Sequence, residues 1–164
     1  MDLIRVGVAE SRVTAPPGLL CCYGLGSCLG LALYEAESRL AGLAHIMLPD
    51  SSASLKRGED MPGRFADTAL PALLEEMLEK GARRSGIFAR LVGGANMFLF
   101  PGRPGPAAPT IGERNLKAAL ESLAREEVPL RSQDTGGNYG RSVEFNPENG
   151  AILVRTAQFG ARWL

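Results

Sequence analysis

Cys28-Leu29-Gly30-Leu31-Ala32-Leu33-Tyr34-Glu35-Ala36-Glu37-Ser38-Arg39-Leu40-Ala41-Gly42-Leu43-Ala44-His45-Ile46-Met47-Leu48 is the stretch from which the fold reads most directly. Apolar runs at 28–34 and 39–48 flank the polar segment 35–38, a pattern that predicts two strands joined as a hairpin. With Ala36 and Glu37 as the central turn residues, Cys28 lies directly opposite His45, where paired Cβ atoms are about 4.5–5.5 Å apart. Residues of one parity share a face. Leu29, Leu31 and Leu33 therefore join Leu40, Ile46 and Leu48 on a core side. Cys28, Gly30, Ala32, Ala41, Leu43 and His45 share the other, a face of mostly small side chains that leaves room for a substrate chain or another packed layer. Ala36-Glu37 is not a pair that dictates a two-residue turn, as Asn-Gly would be. A one-residue slip would put the thiol and the imidazole on opposite faces.

Working outward, strands are predicted at 3–8 and 19–23, with Ala15-Pro16-Pro17-Gly18 as the break between them. Pro49-Asp50-Ser51-Ser52 opens a polar loop that runs to about Gly63. Ala66, Leu70, Leu73, Leu74, Met77 and Leu78 recur at helical spacing, and Gly81 supplies the stop. Pro71 is compatible with that helix if it starts a turn or less earlier. A strand at 87–92 runs into Gly93-Gly94, and 100–109 is a second loop, rich in Pro and Gly. Thr110 and Glu113 make a capping box for a helix through Leu116, Leu120 and Leu123. Strands follow at 130–132, 142–146 and 151–157, the last two joined by Pro147-Glu148-Asn149-Gly150. No repeat or composition break divides the chain. The expectation is a single domain over residues 1–164 of the α+β class, a sandwich of mainly antiparallel β-sheet covered by α-helices.

Composition removes several function classes. Lys and Arg total 18 and so do Asp and Glu, so no net field gathers phosphates and nucleic acid is not an expected partner. No apolar run reaches membrane-spanning length and the first residues alternate like a strand, so a cytoplasmic protein without membrane insertion is expected. Three cysteines, Cys21, Cys22 and Cys28, crowd one stretch, which is neither a disulfide framework nor a metal-ligand spacing. One histidine in the chain argues further against a zinc centre, and neither a metal nor an organic cofactor is expected.

The pair Cys28 and His45 suits covalent acyl chemistry. An imidazole beside a thiol converts it to the nucleophilic thiolate. Gly24-Leu25-Gly26-Ser27 leads into the cysteine, where a pliant backbone can aim N–H groups, those of Gly26 and Ser27 among them, at an oxyanion. The bland reading stands beside it: a lone Cys in a strand is commonly a small buried hydrophobe, and a lone His is commonly structural. Asp134-Thr135-Gly136 has the form of an aspartic-protease triplet, but the chain supplies one and that chemistry needs two; a tight glycine turn is the better reading. Gly93-Gly94-Ala95-Asn96 follows a strand as phosphate loops do, yet lacks their lysine and spacing.

Five blocks, taken together and in order, resemble the CheD family of bacterial chemotaxis proteins. They are Gly24-Leu25-Gly26-Ser27-Cys28; Ala44-His45-Ile46-Met47-Leu48-Pro49-Asp50-Ser51; Gly93-Gly94-Ala95-Asn96-Met97-Phe98; Ile111-Gly112-Glu113-Arg114-Asn115; and Asp134-Thr135-Gly136-Gly137-Asn138 with Arg141-Ser142-Val143-Glu144. The resemblance runs from about Val6 to Thr156. It implies a sandwich similar in plan to the deamidating domain of cytotoxic necrotizing factor toxins, and hydrolysis of selected glutamine side chains on chemoreceptor cytoplasmic domains. It also implies methyl-ester hydrolysis in some members and binding to the phosphatase CheC. Carried over residue by residue, Cys28 is the nucleophile and His45 the catalytic histidine, with Asn96 and Phe98 assigned to substrate from their place in the motif.

One position departs from the family pattern. A threonine commonly stands six residues before the nucleophile as the third catalytic member, and here that residue is Cys22. A thiol is a weak hydrogen-bonding partner, so the expectation is that orientation of His45 passes to a backbone carbonyl or that activity is lower. Cys21, one residue earlier, should face the other way and serve packing. Two other classes remain open: a different Cys–His acyl hydrolase, such as a peptidase or transglutaminase-like enzyme, and a regulatory module that docks a CheC-type phosphatase with weak catalysis.

Overall fold

A computed structural model describes residues 1–52, 54, 61–98, 102, 105 and 108–164. Most of the loop expected up to Gly63, and most of 100–109, therefore lie outside the described residues. The elements are β1 (Asp2–Arg5), β2 (Ser11–Thr14), β3 (Gly18–Leu25), β4 (Leu29–Glu35), β5 (Leu40–Ile46), α1 (Ala66–Glu79), β6 (Ile87–Gly93), α2 (Ile111–Arg125), β7 (Leu130–Thr135), β8 (Arg141–Phe145), β9 (Ile152–Thr156) and β10 (Gly160–Trp163). They build two five-stranded sheets, ordered β1-β3-β8-β9-β10 and β2-β5-β4-β6-β7. Pairing is antiparallel except between β1 and β3 and between β6 and β7. The α+β sandwich of mainly antiparallel strands is as expected, with two sheets in place of one.

Strands β4 and β5 are buried at every residue, as strands covered on both faces must be. Leu29, Leu31, Leu33, Leu40, Ala44 and Ile46 face α1 and α2, packing on Leu70, Leu73, Met77 and Leu123. Ala32, Tyr34, Ala41 and Leu43 face the other sheet, against Leu20, Cys22, Leu25, Val143 and Phe145. The small-residue face is thus occupied by another packed layer. Close approach is built in at Gly42, where a Cβ would stand 3.0 Å from Leu73 Cγ.

The hairpin register differs from the expected one. Glu35 pairs with Leu40 and Gly30 with His45, so the connection is the four residues Ala36-Glu37-Ser38-Arg39. The cause is local. The buried Glu35 carboxylate accepts the N–H groups of Glu37 and Ser38 at 2.9 and 3.0 Å, and Arg39 takes φ 52°. This longer turn moves the pairing by two residues, an even number, so every side chain keeps the face assigned to it. Cys28 ends up just before β4 rather than directly opposite His45, and Leu48 falls beyond β5 in a bridge to Phe65.

The helices follow their signals. Thr110 and Glu113 form the capping box in full. Helix α1 closes on Gly81 at φ 104°, with Ala82 N–H on Met77 O and Gly81 N–H on Leu78 O, the paired bonds of a Schellman ending. Pro71 sits further in than expected, because α1 begins at Ala66; its missing N–H frees one first-turn carbonyl. Strands β2 and β10 were not predicted. Each has four residues, too few for periodicity to register. Removing the side chain at the centre of the helix-side core, Leu73→Ala, should cost about 2–5 kcal/mol. Urea denaturation would show a lower midpoint at unchanged slope.

Candidate active site

The two sheets bring together what the chain keeps apart. Cys22 points from β3 into the intersheet layer and His45 points into it from β5. Cys22 Sγ and His45 Nδ1 are 3.4 Å apart. Both residues are buried, and Cys28, half-buried at the layer's edge, packs on the same cluster. No hydrogen bond joins Cys28 to His45 among the described residues. Cys21 is buried but takes no part in that cluster.

His45 is held by its backbone. Its N–H donates to Glu10 O at 2.9 Å and its carbonyl accepts from Ala9 N–H at 3.0 Å. Nε2 is buried with no hydrogen-bonding partner among the described residues. Burial lowers the imidazole pKa, opposed by the backbone of Val6. Burial raises the Cys28 thiol. Cys22 is pushed up to about 12, first by burial and then by the neighbouring Cys28 and Cys21, so it remains a thiol. The resting centre is therefore a neutral thiol beside a neutral imidazole.

Three loops frame Cys28. Ala95 N–H donates to Gly26 O and Gly94 N–H to Cys28 O, each at 2.9 Å. The Gly26 N–H donates to Gly24 O at 3.1 Å, so that amide is already engaged. Gly136 N–H reaches Gly93 O and Asn96 N–H reaches Gly137 O, both at 2.9 Å. The turn at 136–137 is fixed by buried Arg141, which donates to Asp134 at 3.0 Å and to Gly136 O at 2.8 Å. Asp134 is thus an ion-pair partner, as Arg162 on its other oxygen also shows. Asn96 Oδ1 accepts the Phe98 N–H, and Phe98 is 83% exposed.

Sequence reading missed two contributors. Met97 lies over Gly26, where a Cβ would meet its Cγ at 3.0 Å. Gly112, in the first turn of α2, lies so close to the 93–96 loop that a Cβ would stand 2.4 Å from Ala95 O. Both lie inside quoted motif blocks, but nothing in the sequence says which neighbours they touch.

The family model described as CheD chemotactic sensory transduction matches residues 47–156. A relative from Caldanaerobacter subterraneus subsp. tengcongensis, named "Probable chemoreceptor glutamine deamidase CheD", is 42% identical over 99% of this chain and 98% of its own length. The chain belongs to the CheD family. The Bacillus licheniformis member, named "Chemoreceptor glutamine deamidase CheD", is 40% identical over 97% of this chain and 93% of its own. The family model begins at Met47, so the segment with Cys28 and His45 is reached by the full-length relatives alone. A slighter structural likeness, to the crystal structure of the Neisseria meningitidis protein NMB0706, has a TM-score of 0.47 at 10% identity, covering 84% of this chain and 63% of that one. It carries nothing about function.

These electrostatics set a pH dependence. The Cys28 thiol, raised above its ordinary value, yields thiolate only as pH climbs through that raised value. His45, lowered, is already neutral at pH 7 and forms no ion pair that would hold a thiolate in acid. Iodoacetamide alkylation of Cys28 in the unliganded protein should therefore rise steadily into the alkaline range, followed by intact mass. A rate plateau below pH 7 would contradict this picture.

Proposed function

We propose that this CheD-family chain hydrolyses selected glutamine side chains of chemoreceptor cytoplasmic domains to glutamate and ammonia, acting in the cytoplasm. The Cys22–His45 contact beside Cys28, in a chain about two-fifths identical to full-length relatives named as glutamine deamidases, carries this reading. His45 Nδ1–H faces the Cys22 sulfur as a weak acceptor, which leaves the Nε2 lone pair to take the Cys28 proton when substrate arrives. The thiolate attacks the carboxamide carbon, and the backbone N–H groups of Ser27 and Cys28 receive the oxyanion. His45 returns its proton to the departing ammonia, leaving a thioester between Cys28 and the receptor side chain. Water, deprotonated by His45, cleaves the thioester to glutamate and restores the thiol. Every step is proton transfer or acyl transfer, carried by these side chains. Asn96 and exposed Phe98, on the loop over Gly26, meet the receptor surface, and a CheC-type phosphatase is a second partner.

The experiment is intact-mass analysis of a chemoreceptor cytoplasmic fragment incubated with wild-type protein or with Cys28→Ala. Wild type should add about one mass unit per modified glutamine, without cleavage or cross-linking, and the mutant none. No gain with any cognate fragment would reject the deamidase. The weak Cys22 partner favours the regulatory module as the alternative; an effect on such a phosphatase that survives Cys28→Ala would identify it.

Cys22 offers a second test. A hydroxyl holds an imidazole tautomer better than a thiol does, so Cys22→Thr should raise kcat by a few-fold. Cys22→Val, similar in shape but without a polar atom, should lower it by about tenfold, the effect of losing roughly 1.4 kcal/mol of orientation. Equal kcat in all three would show that Cys22 does not orient His45.

A further inference from the structure

We infer that Asn115 is a positioning residue of the Cys28–His45 centre, its side-chain amide holding the two backbone segments that carry the reacting groups. Asn115 lies in the second turn of α2 and is fully buried. Its Nδ2 donates to Ser27 O at 2.9 Å and to Met47 O at 3.0 Å. Ser27 directly precedes Cys28, and Met47 is the second residue after His45. Ladder pairing between β4 and β5 ends at Leu29 with Ile46. Asn115 therefore supplies the next rung from outside the sheet, at the point where the strands would otherwise part.

Two observations show that the donors are what this position needs. Asn115 Oδ1 is buried with no partner among the described residues, an unfavourable state that an aliphatic side chain would avoid. The segment being held is also intrinsically loose, with Gly24 and Gly26 just upstream of the nucleophile.

The clamp also orients the nucleophile's own amide. The Ser27–Cys28 peptide is trans, since the one cis bond among the described residues is at Pro16-Pro17. In a trans peptide the C=O and the N–H point in opposite directions. Drawing Ser27 O in towards α2 turns the Cys28 N–H away from it. That N–H has no protein acceptor among the described residues, while Cys28 O is fixed by Gly94 N–H at 2.9 Å. Cys28 is thus held from both sides with its amide free for a developing oxyanion.

The kinetic arm of the test rests on the deamidase reading; the thiol arm does not. Asn115→Asp is isosteric and retains at most one donor, and Asn115→Ala retains none. Leu123→Ala, a core residue of the same helix, is the control for lost stability. Assayed where each protein is folded, the Asn115 variants should lose kcat on the order of tenfold to a hundredfold with KM unchanged. Their Cys28 alkylation rate should depart from the wild-type value, and Leu123→Ala should keep wild-type values of both. Wild-type kcat in folded Asn115→Asp, or losses that only track the unfolded fraction as in Leu123→Ala, would overturn the inference. If wild type itself deamidates nothing, the proposed function fails, while unchanged alkylation in Asn115→Asp would independently sink the clamp. Should neither variant fold, NMR of wild-type protein decides. Slow exchange of the Asn115 side-chain NH2, with shifts on alkylating Cys28, supports the clamp; fast exchange removes it.

Discussion

Along β4 and β5 the central sheet has no solvent face, and the rest of the molecule is arranged around that constraint. One face carries leucines and isoleucine, long enough to reach the ridges of α1 and α2. The other carries Gly30, Ala32 and Ala41 among Tyr34, Leu43 and His45, and packs against the second sheet. Because a sheet covered twice must satisfy its polar side chains internally, the histidine on its inner face needs a partner from the opposing layer. Cys22 is the group that β3 delivers there.

Placing Cys28 and His45 at the boundary between layers has an electrostatic consequence. Burial works against charge on both partners, lifting the thiol and lowering the imidazole, so the resting centre is neutral. A neutral centre fits the proposed deamidation, in which the proton would move only when the carboxamide arrives and displaces water. Rigidity then has to come from fixing the backbone around Cys28. It does, through the amides of Gly94 and Ala95, the turn pinned by Arg141, and Asn115 bridging from α2.

Much of the architecture was legible in the sequence. The capping box of α2, the glycine stop of α1, hydrophobic spacing and strand parity each report a local preference, and each is realised in α1, α2 or the β4–β5 pair. Facing parity survived even though the register moved by two residues, because the alternation of side chains has a period of two. Glu35 was the unread element: a carboxylate that folds back on its own turn looks, in sequence, like any polar loop residue. Strands β2 and β10 escaped because four residues hold too little pattern.

For the site, sequence alone determined the cast. A cysteine after a glycine-rich run, a single histidine, and a cysteine in the usual threonine position are facts of composition and order, as is the family that the blocks in order point to. Which of them meet was decided only by tertiary structure. Cys22 and His45 touch because two sheets stack, and Asn115 reaches Ser27 and Met47 because α2 packs across the end of a strand pair. Such contacts join residues 23 to 88 positions apart. No local propensity encodes them, since they arise from the packing of complementary faces, a property of the folded chain as a whole.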